Sequence, residues 1–174
     1  MAAVRYVLRE RFWHLGEDMD VTDENGNPVF HVDGKMFSLS GLLVMTDPRG
    51  SEIARVQRKL LSLLPTYEIS IAGHSAAEVK KKFFTPFHDE FHIDVPGEGD
   101  LELVGNFLEH DFTIGRSGQT VASVSRTWVS LTATYGVDIA PGQNDALLLA
   151  CVLALDLAED RERHGGTGLF AMSN

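Results

Sequence analysis

The sequence predicts a mainly β protein in which a closed antiparallel barrel surrounds a hydrophobic helix close to the C-terminal end. Three observations predict this fold. Apolar and polar residues alternate along most of the chain before residue 140, turn signals separate the alternating stretches, and residues 146–155 read ALLLACVLAL. Alternation is typical of antiparallel strands. The ten apolar residues are rich in Ala and Leu, which favours a helix without a polar face.

The alternating stretches predict a series of short strands, some of which we expect to merge or to be absent. In chain order they fall near residues 4–9, 12–15, 18–23, 28–33, 36–39, 42–46, 53–60, 67–72, 76–83, 87–94, 101–106, 111–116, 120–128 and 133–139. Turn signals stand at residues 24–27, 47–50, 96–100 and 116–118, where Gly or Asn can supply a positive φ.

An internal pattern supports a series of hairpins. The pattern is a glycine with apolar residues three and four positions after it and a valine six positions after it. It begins at Gly26, Gly50 and Gly118, with a degenerate copy at Gly73. Each copy predicts a turn at the glycine followed by a strand that enters the core. The copies are unevenly spaced, which excludes a solenoid or propeller of fixed period.

The helix is predicted to begin after an N-cap at Asn144 or Asp145 and to run to about Arg163, with Gly165 and Gly166 as a stop. A helix that is apolar on every side is either buried or membrane-spanning. Asp156 and the charged residues 159–163 interrupt the run well short of the ~18 apolar residues of a membrane span. We therefore expect the helix to be buried and no transmembrane segment to be present.

The helix sets the size of the barrel. A helix is ~10 Å across with its side chains, whereas an eight-stranded barrel is filled by its own side chains. The barrel should therefore have more than ten strands.

Composition narrows the class of protein. The chain has 174 residues, of which 44% are hydrophobic, and it carries a formal net charge of −10. This fits a single domain over residues 1–164 with a flexible tail at 165–174. The negative charge argues against a nucleic-acid partner. A signal-peptide pattern is absent, so we expect a cytoplasmic protein. The single cysteine, Cys151, lies in the apolar helix and is interpreted as a small buried hydrophobic residue. We expect no cofactor.

The order of several short segments resembles the LURP-one-related proteins. These segments are 6–8 (YVL), 12–16 (FxxLG), Asp18, 23–26 (DExG), 34–38 (GKxFS), 47–53 (DxxGxEI), 58–63 (RKLLSL) and 65–69 (PTYEI), where x is any residue. The resemblance covers about residues 4–160 and implies a Tubby C-terminal-like fold, related to the phospholipid scramblases, with about twelve strands around the C-terminal helix. Tubby domains of this fold bind phosphoinositides through basic side chains, and the scramblases are lipid-associated. Transfer of either function rests on fold-level analogy.

Positive charge is concentrated on two predicted strands. Arg55 and Lys59 share one face of the first strand, and Lys80 and Lys82 share one face of the second. Neighbouring strands could bring these four side chains into a patch of the size of a phosphate group. The alternative is that they are solvated cations that discourage edge pairing. An acidic background would make such a patch selective for compact, multiply charged headgroups.

Two features raise the alternative of an enzyme. His88, Glu90 and His92 face the same side of a predicted strand, but the two histidines would stand ~13 Å apart, too far to bind one metal ion. Asp156 is a carboxylate inside the apolar helix, where it requires a hydrogen-bond donor. We expect Asp156 to lie near the barrel mouth, with a donor from a loop or from water, and we expect no metal site.

The sequence thus predicts a non-enzymatic binding or scaffold module. Its expected partner is a phosphoinositide-like or other phosphorylated ligand, bound by Arg55, Lys59, Lys80 and Lys82, or a protein. The alternative function is a metal-dependent or carboxylate-based hydrolase that uses His88, Glu90 and His92.

Overall fold

A computed structural model describes residues 3–9, 16–35, 40–82, 90–107, 109–126 and 134–165, and the side chains of Lys82, Glu90 and residues 162–165 are not described. These ranges contain twelve strands and one long helix. The strands are β1 (Val4–Arg9), β2 (Met19–Asp23), β3 (Pro28–Asp33), β4 (Leu42–Thr46), β5 (Glu52–Arg58), β6 (Thr66–Ile71), β7 (His74–Lys82), β8 (Glu90–Asp94), β9 (Leu101–Asn106), β10 (Asp111–Arg116), β11 (Gln119–Ser125) and β12 (Thr134–Ile139), and the helix is α1 (Asp145–Gly165).

The twelve strands form a closed antiparallel barrel. Each strand pairs with its neighbours in the sequence, and β1 pairs with β12 to close the sheet. The closing pair is in register along its whole length, from Val4 opposite Ile139 to Arg9 opposite Thr134. Closure leaves no open sheet edge, so the backbone groups of the first and last strands find partners in each other.

The glycine pattern marks four hairpins of the barrel. Gly26 and Gly50 both have φ of +84°, a left-handed conformation that a β-carbon would strain. In each of these two turns an aspartate, Asp23 or Asp47, accepts hydrogen bonds from backbone amides of the turn through Oδ1. The strand register shifts just before all four turns, an irregularity of the bulge type that the hairpins share.

The interior of the barrel is filled by α1. Leu147 to Leu155 are all 2% exposed or less, and Leu157 and Ala158 are buried as well. The inward residues of the strands complete this core, including Leu8, Leu43, Ile69 and Val137. α1 contacts β5, β6, β7 and β12. The all-apolar surface of the helix is therefore matched by an apolar wall on every side.

The N-terminal end of α1 is fixed by two side chains. The amide Oδ1 of Asn144 accepts a hydrogen bond from the backbone N–H of Leu147 at 3.1 Å, and its carbonyl accepts one from Leu148. Asn144 is therefore the N-cap, and Asp145 is the first helical residue. The hydroxyl of Tyr6 on β1 donates to Oδ2 of Asp145 at 2.6 Å, which ties the helix to the barrel wall.

The predicted fold class is confirmed: the protein is mainly β, with a closed barrel of twelve antiparallel strands and one C-terminal helix. The predicted strands 12–15 and 36–39 fall on residues that lie wholly or almost wholly outside the described ranges. The helix extends two residues beyond the predicted Arg163, and residues 166–174 of the predicted tail also lie outside them. No helix in the described part of the chain combines the length and hydropathy needed to cross a bilayer.

A charge placed in the middle of α1 should unfold the protein. Leu149 is fully buried, so Leu149→Asp would place an unpaired carboxylate inside the barrel at a cost of several kcal/mol, against a typical total stability of ~5–15 kcal/mol. The exposed Leu61 supplies a control, since Leu61→Asp makes the same chemical change in water. The Leu149→Asp variant should show no cooperative thermal unfolding transition, and the Leu61→Asp variant should melt at nearly the wild-type temperature. Equal melting temperatures would contradict the buried position of α1.

The thiol of Cys151 should be inert in the folded protein. Cys151 is fully buried on α1, and burial raises the pKa of its thiol to about 12. Because the thiolate is the reactive form, thiol reagents should modify Cys151 only after denaturant is added. Mass spectrometry of the native protein after incubation with a maleimide checks this expectation. Rapid and complete modification without denaturant would show that the barrel opens.

Candidate functional site

The predicted cations lie on the outer face of neighbouring strands. On β5 the side chains of Ala54 and Val56 point into the core, which leaves Arg55 outside, and on β7 the inward Val79 and Lys81 leave Lys80 outside. Lys59 follows the end of β5, where its backbone N–H bonds to the carbonyl of Thr66 at 2.9 Å. β6 lies between β5 and β7, so all of these groups share one outer face of the barrel.

Glu78 brings two of the predicted cations together. Its carboxylate on β7 forms ion pairs with the ammonium groups of both Lys59 and Lys80. A second carboxylate, Oε2 of Glu68, lies 3.9 Å from Nζ of Lys59. These contacts lower the pKa of the Glu78 carboxyl, through hydrogen bonds from Lys59 and then Lys80, and raise the pKa of Lys59.

Arg55 has an acidic partner of its own. Its Nε and Nη2 atoms lie 3.0 and 2.7 Å from the two carboxylate oxygens of Glu52, a bidentate pair that raises the pKa of the guanidinium. The backbone of Lys82 lies at the end of β7, but its side chain is not described. Arg55 and Lys80 lie on strands as the sequence predicted, whereas the predicted strand of Lys59 already ends at Arg58. Sequence reasoning missed the three glutamates that lie among these cations, Glu52, Glu68 and Glu78. These carboxylates offset much of the positive charge that the sequence suggested.

A leucine-rich loop joins β5 to β6 next to these cations. Leu61 and Leu63 are fully exposed, and Leu60 is 70% exposed. Sequence reasoning used this segment only for the family resemblance. Its signal was the run of four leucines within residues 60–64, which does not alternate as a strand should and directly follows Arg58 and Lys59.

The residues of the alternative enzyme site do not form a metal centre in the part of the chain that the structure describes. His88 lies outside the described residues, and the side chain of Glu90 is not described. His92 points away from the core, and its Nε2 lies 3.2 Å from Oδ2 of Asp100. Within the described ranges, no group of three or more His, Cys, Asp or Glu side chains is placed to hold a metal ion. This geometry gives no support to a hydrolase.

A buried polar cluster surrounds Asp156 of α1. The hydroxyl of Tyr135 on β12 donates to Oδ2 of Asp156, and Nε2 of His110 lies 2.9 Å from Oδ1. The rings of His110 and Tyr135 are stacked with centroids 4.2 Å apart, and Nη2 of Arg126 lies 3.4 Å from Nδ1 of His110. The expected loop donor to Asp156 is therefore present.

The turn before β10 places His110 in this cluster. His110 has a φ of +49°, and its backbone N–H bonds to the carbonyl of Phe107 at 3.0 Å. This left-handed conformation turns the imidazole inward, while the next residue, Asp111, is exposed. Histidine adopts this conformation more readily than most side chains. Because both carboxylate oxygens of the largely covered Asp156 are hydrogen-bonded, its polar atoms are satisfied, and the cluster acts as a structural anchor.

An open depression of about 390 Å³ lies at the turns of the β2–β3 and β4–β5 hairpins. Pro28, Phe30 and Pro48 contribute its apolar surface, and its polar groups include Asp20 and His31, whose Oδ1 and Nδ1 atoms are 3.0 Å apart. Asp20 and His31 are therefore hydrogen-bonded to each other, and the residues that line the depression carry no concentration of charge.

Comparisons with known proteins agree with the fold. Residues 4–156 match the family model described as LURP-one-related. The uncharacterised protein YxjI of Bacillus subtilis strain 168 is 29% identical over 154 residues, which cover 88% of this chain and 93% of that protein. An X-ray structure of a protein from Arabidopsis thaliana superposes with a TM-score of 0.68 at 18% identity, over 91% of this chain and 92% of the other. The likeness to this structure concerns the fold.

Two tyrosine hydroxyls bind carboxylates of α1, one at the first residue of the helix and one near its middle, and their removal should have unequal effects. Tyr135→Phe leaves a nearly buried Asp156 with one donor fewer, which should lower the free energy of unfolding by about 1–3 kcal/mol. Tyr6→Phe removes the bond to Asp145 at the start of the helix, next to the exposed Asn144, and should cost about 1 kcal/mol or less. Chemical denaturation of both variants measures the difference.

The double variant Tyr6→Phe/Tyr135→Phe serves as the control for this comparison. Asp145 and Asp156 are about 16 Å apart along the helix axis, so the two losses should add. A Tyr135→Phe variant as stable as the wild type would contradict the anchoring role of Asp156.

Proposed function

Because this chain belongs to the LURP-one-related family and its barrel is filled by its own helix, we propose that it is a non-enzymatic binding module that recognises a multiply phosphorylated lipid headgroup. The site lies on the outer face of β5, β6 and β7. A cytoplasmic location is part of this proposal, because anionic lipids are concentrated in the cytoplasmic leaflet.

The filled interior is the observation that carries the proposal. In many barrels the ligand occupies the lumen, but here residues 147–155 occupy it and are 2% exposed or less. A ligand must therefore bind to the outside of the barrel. The outer face of β5 to β7 combines the guanidinium of Arg55 on β5 with the ammonium groups of Lys59, just after β5, and of Lys80 on β7. Guanidinium and ammonium groups are the ones that bind phosphate best.

Because of Glu78, only a ligand with a high negative charge can bind at this site. An incoming phosphate must compete with the carboxylate of Glu78 for the ammonium groups of Lys59 and Lys80. Glu68 and Asp94 lie opposite Glu78 in the register of the neighbouring strands and add negative charge to this part of the face. A singly charged lipid would gain too little from the lysines to offset these ion pairs, whereas a headgroup with several phosphates gains more contacts.

The fold gives secondary support. The resemblance to Tubby-like domains implies a barrel whose outer basic side chains bind phosphoinositides, and the cations proposed here lie on the outer face. This support is analogy at the level of fold.

Liposome flotation tests the headgroup site. The protein should float with vesicles that contain a multiply phosphorylated phosphoinositide and should ignore vesicles with a singly charged anionic lipid at the same total charge. Glutamine at Arg55, Lys59, Lys80 and Lys82 should abolish flotation, and salt should weaken it because exposed charges are screened within about 8 Å. The melting temperature should change little, since solvated ion pairs contribute little to stability.

Two further variants make this test specific. Glutamine at Arg5, Arg9, Lys35 and Arg49 changes the net charge equally, on other strands and loops, and should leave flotation intact. Glu78→Gln removes the carboxylate that competes with the ligand and should strengthen flotation. Loss of flotation in the control variant, or its survival in the fourfold site variant, would show that the outer face of β5 to β7 is not the headgroup site.

A further inference from the structure

The loop between β5 and β6 carries apolar side chains that the barrel does not use. Leu61 and Leu63 are fully exposed and Leu60 is largely exposed, although leucine is among the residue types most often buried. Three exposed leucines within four residues form a contiguous apolar tip, which marks an interaction site in soluble proteins. We infer that this leucine tip, residues 60–63, inserts into the outer part of a lipid bilayer.

The tip is held by hydrogen bonds within the loop. The hydroxyls of Ser62 and Thr66 are 2.8 Å apart, and Oγ1 of Thr66 donates to the carbonyl of Leu64 at 2.9 Å. At the base of the loop, the backbone N–H of Lys59 bonds to the carbonyl of Thr66, and that of Lys81 bonds to Pro65. The single polar side chain of the tip, Ser62, is therefore already bonded, which reduces the cost of moving the tip out of water.

Cations surround the base of the tip. Arg58 and Lys59 precede the leucines in the sequence, and Lys80 lies opposite Thr66, which follows them. Within the described part of the chain, Nε of Arg58 is buried and has no hydrogen-bond partner. An apolar tip above a layer of cations matches the layers of a membrane, where hydrocarbon lies beneath anionic headgroups. Insertion to the acyl boundary requires a depth of only about 5–10 Å.

A bilayer fits this tip better than a protein surface does. The exposed leucines project from a loop, whereas an interface between proteins requires a broad surface of about 800 Å² on each partner. The net charge of −10 opposes purely electrostatic adsorption to an anionic membrane, so an apolar contribution is needed for lasting attachment. The inference deepens the proposed function and rests on it for the choice of membrane, because the tip adjoins the headgroup site.

Vesicle partition measures the contribution of the tip. The double variant Leu61→Ser/Leu63→Ser should bind phosphoinositide vesicles at least tenfold more weakly than the wild type, since the apolar surface of each leucine contributes about tenfold when fully buried. Val104→Ser on β9 is the matched control, because Val104 is also an exposed apolar residue (68%) and lies on a strand remote from the tip in the sheet order. It should bind as the wild type does.

A fluorescent label reports insertion directly. The only native thiol, Cys151, is buried, so a thiol-reactive, polarity-sensitive dye will modify an introduced surface cysteine selectively. On addition of phosphoinositide vesicles, the dye on Leu61→Cys should shift to the blue and be quenched by lipids with brominated acyl chains. The same dye on Val104→Cys should show neither effect.

The outcomes separate insertion from headgroup recognition. Binding of a soluble inositol polyphosphate, measured by calorimetry, tests the cation site alone and should be unaffected by the leucine changes. Vesicle binding that survives Leu61→Ser/Leu63→Ser, or a dye at Leu61→Cys that stays in water on bound vesicles, would overturn insertion and leave the headgroup site standing. A wild-type dimer that these changes dissociate in ultracentrifugation would also overturn it and assign the tip to a second copy. Failure of the soluble polyphosphate to bind would count against the headgroup site alone.

Discussion

The helix α1 is apolar around its whole circumference, and this requires that water be excluded from every side of it at once. A single open sheet would shield one side only. The sheet closes instead, with β1 paired to β12 along six residues, and the inward side chains of the twelve strands meet the helix all round. The hairpin turns, the bulges and the strand register all serve this closure, because a shift by one residue would place polar side chains against the helix.

The same constraint determines where polar groups and ligands can lie. The two aspartates of α1 that meet the barrel wall require polar partners. The barrel supplies Tyr6 for Asp145 at the start of the helix, and the pair of Tyr135 and His110 for Asp156 near its middle. Because the lumen is occupied, chemistry with other molecules is confined to the outside. The outer face of β5 to β7 and the leucine tip adjoin each other, so one end of this face offers both cations and apolar side chains.

Much of the fold followed from local patterns, whereas the site depended on contacts between distant residues. The predicted strands 4–9, 28–33 and 111–116 coincide with β1, β3 and β10, since alternation and glycine turns are encoded within a few residues. Glu78 was not recognised as the partner of Lys59, because the pair joins strands that are separated by β6. His110 was likewise missed as a partner of Asp156, 46 positions away, since its orientation arises from one left-handed turn residue.

Amide hydrogen exchange within α1 tests most directly whether the helix is the inseparable core of the barrel. If it is, the amides of Leu148 to Leu155 should exchange only through global unfolding, with free energies equal to the stability measured by denaturant. These amides should be among the slowest to exchange in the protein, together with the amides of the closing strands β1 and β12. Exchange of these amides at a free energy well below global stability, while the strands remain protected, would show that the helix leaves an intact barrel and would contradict the account.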